Sequence, residues 1–170
     1  MPDGFELWVT RARAQINGWF FNDGTSTGAA DSTGNISAGF QLTKEGNGSN
    51  QVQGFLLRCT NTTCSTFETP AGVTLPVFAT TWSPNTPLIL KMRVDRANGK
   101  VKFVVLNPAI PGSAESAVIN YLGIVNDAGP AANGDFKVLR VQNTVKNCLG
   151  DRKQVMMDAL FDNINIQRAP

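Results

Sequence analysis

The run Pro87-Leu-Ile-Leu-Lys-Met-Arg-Val-Asp-Arg-Ala-Asn-Gly-Lys-Val-Lys-Phe-Val-Val-Leu106 decides the fold. Leu88, Leu90, Met92 and Val94 recur at every second position with Lys91 and Arg93 between them. After a Gly-containing turn the pattern resumes as Val101, Phe103 and Val105, with Lys102 between. A period of two sends successive side chains to opposite faces, so the run is a β-hairpin with one face made for a core and one for water. A sheet solvated on one side is an antiparallel sheet.

Outward from the hairpin, short extended runs at 5–10, 16–21, 36–42, 52–58, 74–79, 117–125, 136–143 and 155–166 alternate with stretches rich in Gly, Asn, Pro and Ser. Asn22-Asp-Gly-Thr-Ser-Thr-Gly-Ala-Ala-Asp-Ser-Thr-Gly34 is a loop by composition. No long window carries helical periodicity with caps; 113–122 comes nearest and is β-branched at Val118 and Ile119. About ten strands with regular turn signals read as an all-β sandwich or barrel. In the last strand, Val155, Met157, Ala159 and Phe161 share a face before Ile164 and Ile166 change parity, as a bulge near Asp162 allows. Its partly apolar second face places it centrally in a sheet.

At 170 residues the chain is long enough for one domain with a single core. Charged residues make up 16% of it and the net charge is +2 with the cations dispersed, which excludes the basic footprint of a nucleic-acid binder. No apolar run reaches the roughly 18 residues of a helical membrane span. Cys59 and Cys64 bracket a polar loop, and a disulfide between them is worth about 2 kcal/mol. Reduced thiols are the alternative. Zinc lacks ligands, since the chain has no histidine and its other cysteine is Cys148, read as a buried free thiol or a partner of a segment not included here. An oxidising, extracellular compartment with a trimmed leader accounts for the set.

The strand-turn-strand at 87–101, together with the closing Asp158-Ala-Leu-Phe-Asp-Asn-Ile-Asn-Ile166, resembles the concanavalin A-like lectin/glucanase superfamily, including laminin-G-like modules. Phe5-Glu-Leu-Trp-Val9 and Gly39-Phe-Gln-Leu42 are similar to its early strands. The resemblance implies a two-sheet antiparallel β-sandwich of jelly-roll type, with a concave face that holds sugars. Enzymes of that superfamily carry Glu-x-Asp-x-Glu on one strand, which points an acid and a nucleophile into the cleft. Here none of Glu6, Glu45, Glu68 and Glu115 is followed two positions later by Asp. Asp158 and Asp162 are the remaining pair on one strand. The absence of histidine removes Ser-His-Asp and Cys-His chemistry.

Sugar binding needs an aromatic platform and amides that grip hydroxyls. Trp19 with Asn17 and Asn22, Trp82 with Asn85, and Tyr121 with Asn120 supply these groups, and each aromatic also suits plain packing. The resemblance further suggests calcium, for which Asp23 and Asp31 are the natural carboxylates, with Asp127 and Asp135 further along. Gly46-Asn-Gly48 opens no helix and is no phosphate loop. Lys91, Arg93 and Lys102 form a basic face that reads first as the solvated back of the sandwich and second as a surface for an acidic polysaccharide. Asn35, Asn47 and Asn61 begin Asn-x-Ser/Thr triplets, which arise by chance in a chain this rich in those residues.

The expectation is therefore a non-catalytic extracellular module, cut from a larger secreted or surface protein, that binds a glycan or another surface ligand. The rival is a structural module that packs against copies of itself as a homo-oligomer, and third comes an unusual glycan-cleaving enzyme.

Overall fold

The computed structural model describes residues 10–45, 50–131 and 137–145. Eight strands run through them: β1 (Thr10–Asn22), β2 (Asn35–Glu45), β3 (Asn50–Cys59), β4 (Phe67–Glu68), β5 (Ile89–Asp95), β6 (Lys100–Leu106), β7 (Glu115–Asn120) and β8 (Lys137–Val145). Sheet A has the order β4-β3-β2-β1-β8 and sheet B the order β5-β6-β7, every pair antiparallel. The early run at 5–9, the closing strand at 155–166, Asn47, Asp135 and Cys148 lie outside the described residues.

The hairpin forms as its alternation dictates. Leu90 pairs with Val105, Met92 with Phe103 and Val94 with Val101 on the inward face, while Arg93 stands opposite Lys102 on the other. Val101, Phe103 and Val105 are fully buried against Ile36, Ala38 and Phe40 of β2 and Val52 and Leu56 of β3, so the core is the space between the two sheets. Phe103 meets Phe40 edge-on at 5.1 Å between ring centroids, the preferred arrangement for aromatic pairs. Opposite it Gly54 has no Cβ; one would lie 3.1 Å from the Phe103 ring.

The short β4 was not expected, and three further elements differ from the sequence expectation. β1 is much longer than 16–21. Its inward positions, Ala14, Ile16 and Gly18, are small or isolated, so the strand lacks the strong apolar beat of β5 and β6. A bulge between Trp19 and Phe21 then returns Phe21 to the core, opposite Ile36. Segment 74–79 is no strand but touches β3 through one isolated bridge, Gln53 to Val77. Pro76 lacks an N–H and cannot extend a ladder; its carbonyl accepts from Gly54, and two residues on Phe78 drops into the core. Finally, β7 ends at Asn120 rather than 125. The Tyr121 N–H bonds to the Gly99 carbonyl, and the chain turns through Gly123 at φ 76°.

Candidate functional site

One end of the sandwich is knitted from loops. The 23–34 loop, expected as such, is held by short polar side chains rather than by a core. Asn22 donates to the Asn35 side chain at 2.9 Å and the Thr33 carbonyl at 2.8 Å, while its oxygen accepts from the Gly24 N–H at 2.8 Å. Asp31 accepts from the Thr27 N–H and hydroxyl and from the Thr33 N–H, each at 2.8 Å. Hydrogen bonds from Thr33 and Thr27 hold its carboxyl far below the usual carboxylate range. Burial raises the Asp23 carboxyl, but hydrogen bonds from Thr25 and Arg58 outweigh it and leave the group below its ordinary value. Arg58 also reaches Glu68 at 2.8 Å.

Cys59 and Cys64 form a disulfide, with Cα atoms 4.9 Å apart. Its turn anchors the neighbouring loop, because the Gly34 N–H donates to the Cys59 carbonyl and the Ser32 N–H to the Thr62 carbonyl, both at 2.9 Å. Ala131 packs on the pair. An open depression of about 310 Å³ lies beside them, lined by small residues such as Gly24, Ser26, Ala29 and Ala128. Among the described residues no ionisable group lines it.

The described carboxylates expected to hold calcium are engaged by protein donors. A calcium ion takes six to eight oxygens. The Asp31 oxygens are already met by Thr donors, and Asp23 faces the Arg58 guanidinium. Asp127 is engaged by Arg96. Among the described residues no three acidic, histidine or cysteine side chains gather.

The candidate sugar-binding residues are dispersed. Trp82 packs against the core, and its indole N–H donates to the Thr43 carbonyl at 2.9 Å. Asn85 occupies the adjacent exposed turn with φ 59°. Tyr121 is buried, stacked on Phe21 at 5.2 Å, with a hydroxyl that has no hydrogen-bond partner among the described residues. Burial pushes that phenol up to about 12. Asn17 stands opposite Gly39 and Trp19 opposite Ser37 in the β1–β2 register. Asn22 sits at the Asn35 end of β2 and Trp82 at Thr43, eight residues and about 26 Å along the strand. They belong to no single cleft.

The two outward sheet faces differ sharply. On sheet A the residues that alternate with the core are polar yet buried: Gln15, Ser37 and Thr43 are 3%, 1% and 3% exposed, and Phe55 beside them is 2% exposed. A row of amides crosses three strands here, Gln15 donating to Gln41 at 3.4 Å and Gln41 to Gln53. On sheet B, Lys91, Arg93, Lys100 and Lys102 are all exposed, and Val118 and Ile89 beside them are 53% and 40% exposed. Sequence reasoning found three of these cations. Lys100 shares the parity of Lys102, and that spacing would have added it. The amide row was invisible, because its members are brought together only by strand pairing. Comparison of the chain with protein-family models, with curated proteins and with solved structures finds no match.

Proposed function

We propose that the protein is a non-catalytic extracellular module that binds a glycan or another surface ligand, and that the ligand lies on the outward face of sheet B. The observation that supports this is the asymmetry of the two sheets. Sheet A has its outward Gln15, Ser37, Thr43 and Phe55 buried, whereas sheet B presents its outward side chains to solvent. Open sheet faces with long side chains offer ready contacts at little cost of rearrangement. The Cys59–Cys64 disulfide accords with an oxidising compartment. Binding needs no calcium in this reading, because the loop carboxylates are engaged by protein donors.

A self-assembling module is favoured by one specific feature, the exposed Ile89 and Val118 on the outer strands β5 and β7. A glycan array read with and without a calcium chelator, alongside sedimentation velocity, separates the two. The binding reading expects a glycan signal that survives chelation from a protein that stays monomeric. No signal in either condition, with sedimentation that rises with concentration, overturns it in favour of assembly.

A further inference from the structure

Resting on that reading, we propose that the ligand is an acidic polysaccharide, carboxylated or sulfated, lying across β5 and β6 over Lys91, Arg93, Lys100 and Lys102. The face carries these four cations and one carboxylate, Asp95. That is a balance of +3 on a chain whose net charge is +2, so all other residues together sum to −1. The positive charge of this protein is therefore concentrated on the sheet that is open. Pairing makes the concentration sharper. Arg93 stands directly opposite Lys102, an arrangement that disfavours the sheet, where an acidic side chain would have stabilised it. Asp95 lies opposite Lys100 at the turn end and its oxygens take the Asn98 N–H and side-chain amide. The side chains of Lys91, Arg93 and Lys102 make no ion pair or hydrogen bond among the described residues.

The spacing favours a chain over a small anion. Residues two apart on a strand are about 6.6 Å apart and directly opposed residues about 5 Å apart, so one small anion on this flat face reaches one or two of the cations. A polymer with charge on successive units meets all of them, and each contact raises the effective concentration of the next. Val104 and Val118, on the same face, give the C–H surfaces of sugar rings somewhere to rest. Nucleic acid fits less well. No aromatic side chain stands at the outward positions of β5, β6 and β7 to stack a base, and duplex binding draws on some six to ten phosphate contacts.

The probes are alginate, heparin and a neutral glucan, each titrated against the full chain and against the triple variant Lys91→Gln, Arg93→Gln, Lys102→Gln, whose exposed sites leave the melting temperature as a control for folding. Anionic vesicles and duplex DNA run in parallel. The proposal expects alginate or heparin to bind and the glucan not to. That binding should weaken at least tenfold between about 50 and 200 mM salt and at least tenfold in the triple variant. Binding of the glucan with equal affinity, undiminished in the variant, overturns the acidic ligand while leaving a glycan-binding module standing. Vesicles or DNA binding more tightly than either polysaccharide overturns it in favour of a lipid surface or a general polyanion site. No binding to any probe overturns this inference, while the reading beneath it stands or falls on the glycan array and sedimentation.

Discussion

Tyr121 shows how far one side chain's chemistry can depart from its appearance in sequence. Beside Asn120 it suggests a ligand contact, yet its ring is buried on Phe21 and its hydroxyl meets no acceptor among the described residues. A buried hydroxyl without a partner carries a desolvation cost, so Tyr121→Phe should raise stability by about 1 kcal/mol, read as a higher urea midpoint at unchanged slope. A loss of stability instead would mean that the hydroxyl is bonded in solution. The carboxylates give a second expectation. Asp31, Asp23 and Glu115 all sit below their ordinary values of 3.8 for Asp and 4.5 for Glu, in the case of Glu115 chiefly through the Thr80 hydroxyl. A depressed folded value means that the unfolded chain takes up protons first. Their contribution is complete above the ordinary values and drains away as pH falls through the folded ones. The melting temperature should be level from about pH 7 to pH 5 and fall steadily below about pH 4. Asp31→Asn should lower the plateau and flatten the acid limb.

At the scale of the element, two features carry expectations. Gly39 on β2 lies beneath the Phe55 ring, and a Cβ there would come 2.1 Å from the Ile16 carbonyl and 2.6 Å from Phe55. The first is backbone and cannot swing aside. Gly39→Ala should therefore part β1 from β2 and cost about 2 kcal/mol or more, measured by denaturant unfolding. Reduction of the disulfide should lower stability by about 2 kcal/mol, a fall of about 4–8 °C in a protein of this size. Its local mark should be faster hydrogen exchange at the Ser32 and Gly34 amides, which lean on that turn. The strands that sequence reasoning placed best, β5 and β6, are those where long cations alternate with large apolar groups. β1 was half legible because Ala and Gly on its inward side leave little contrast. The 74–79 segment was misread as a strand because Thr74, Val77 and Phe78 suit one, and the missing N–H of Pro76 acts only on the pairing. Trp82 looked available beside its loop, but its N–H is spent on Thr43, a partner 39 positions away.

For the whole molecule, the sandwich was written in the sequence and the site was not. Alternation reports which side of a strand faces the core, and enough strands of that kind close as a sandwich or a barrel. It says nothing about which outward face remains uncovered, since that depends on what the rest of the chain lays against it. Hence Lys91, Arg93 and Lys102 read first as a solvated back and only second as a contact surface, and the burial of sheet A's outward residues leaves theirs as the open face. The topology also orders assembly in time. Sheet B is a meander from Ile89 to Asn120 whose strands pair with their immediate successors, while in sheet A β8 must return to β1 to join Val145 to Thr10. Contacts so distant along the chain close slowly, whereas local hairpins close fast. As the polypeptide is synthesised from its N-terminus, all of the charged meander and the strands that back it have been made before β8 exists. The cationic surface can therefore be presented by a nascent chain whose larger sheet still lacks β8, and an anionic polymer met at that stage would engage a protein not yet finished.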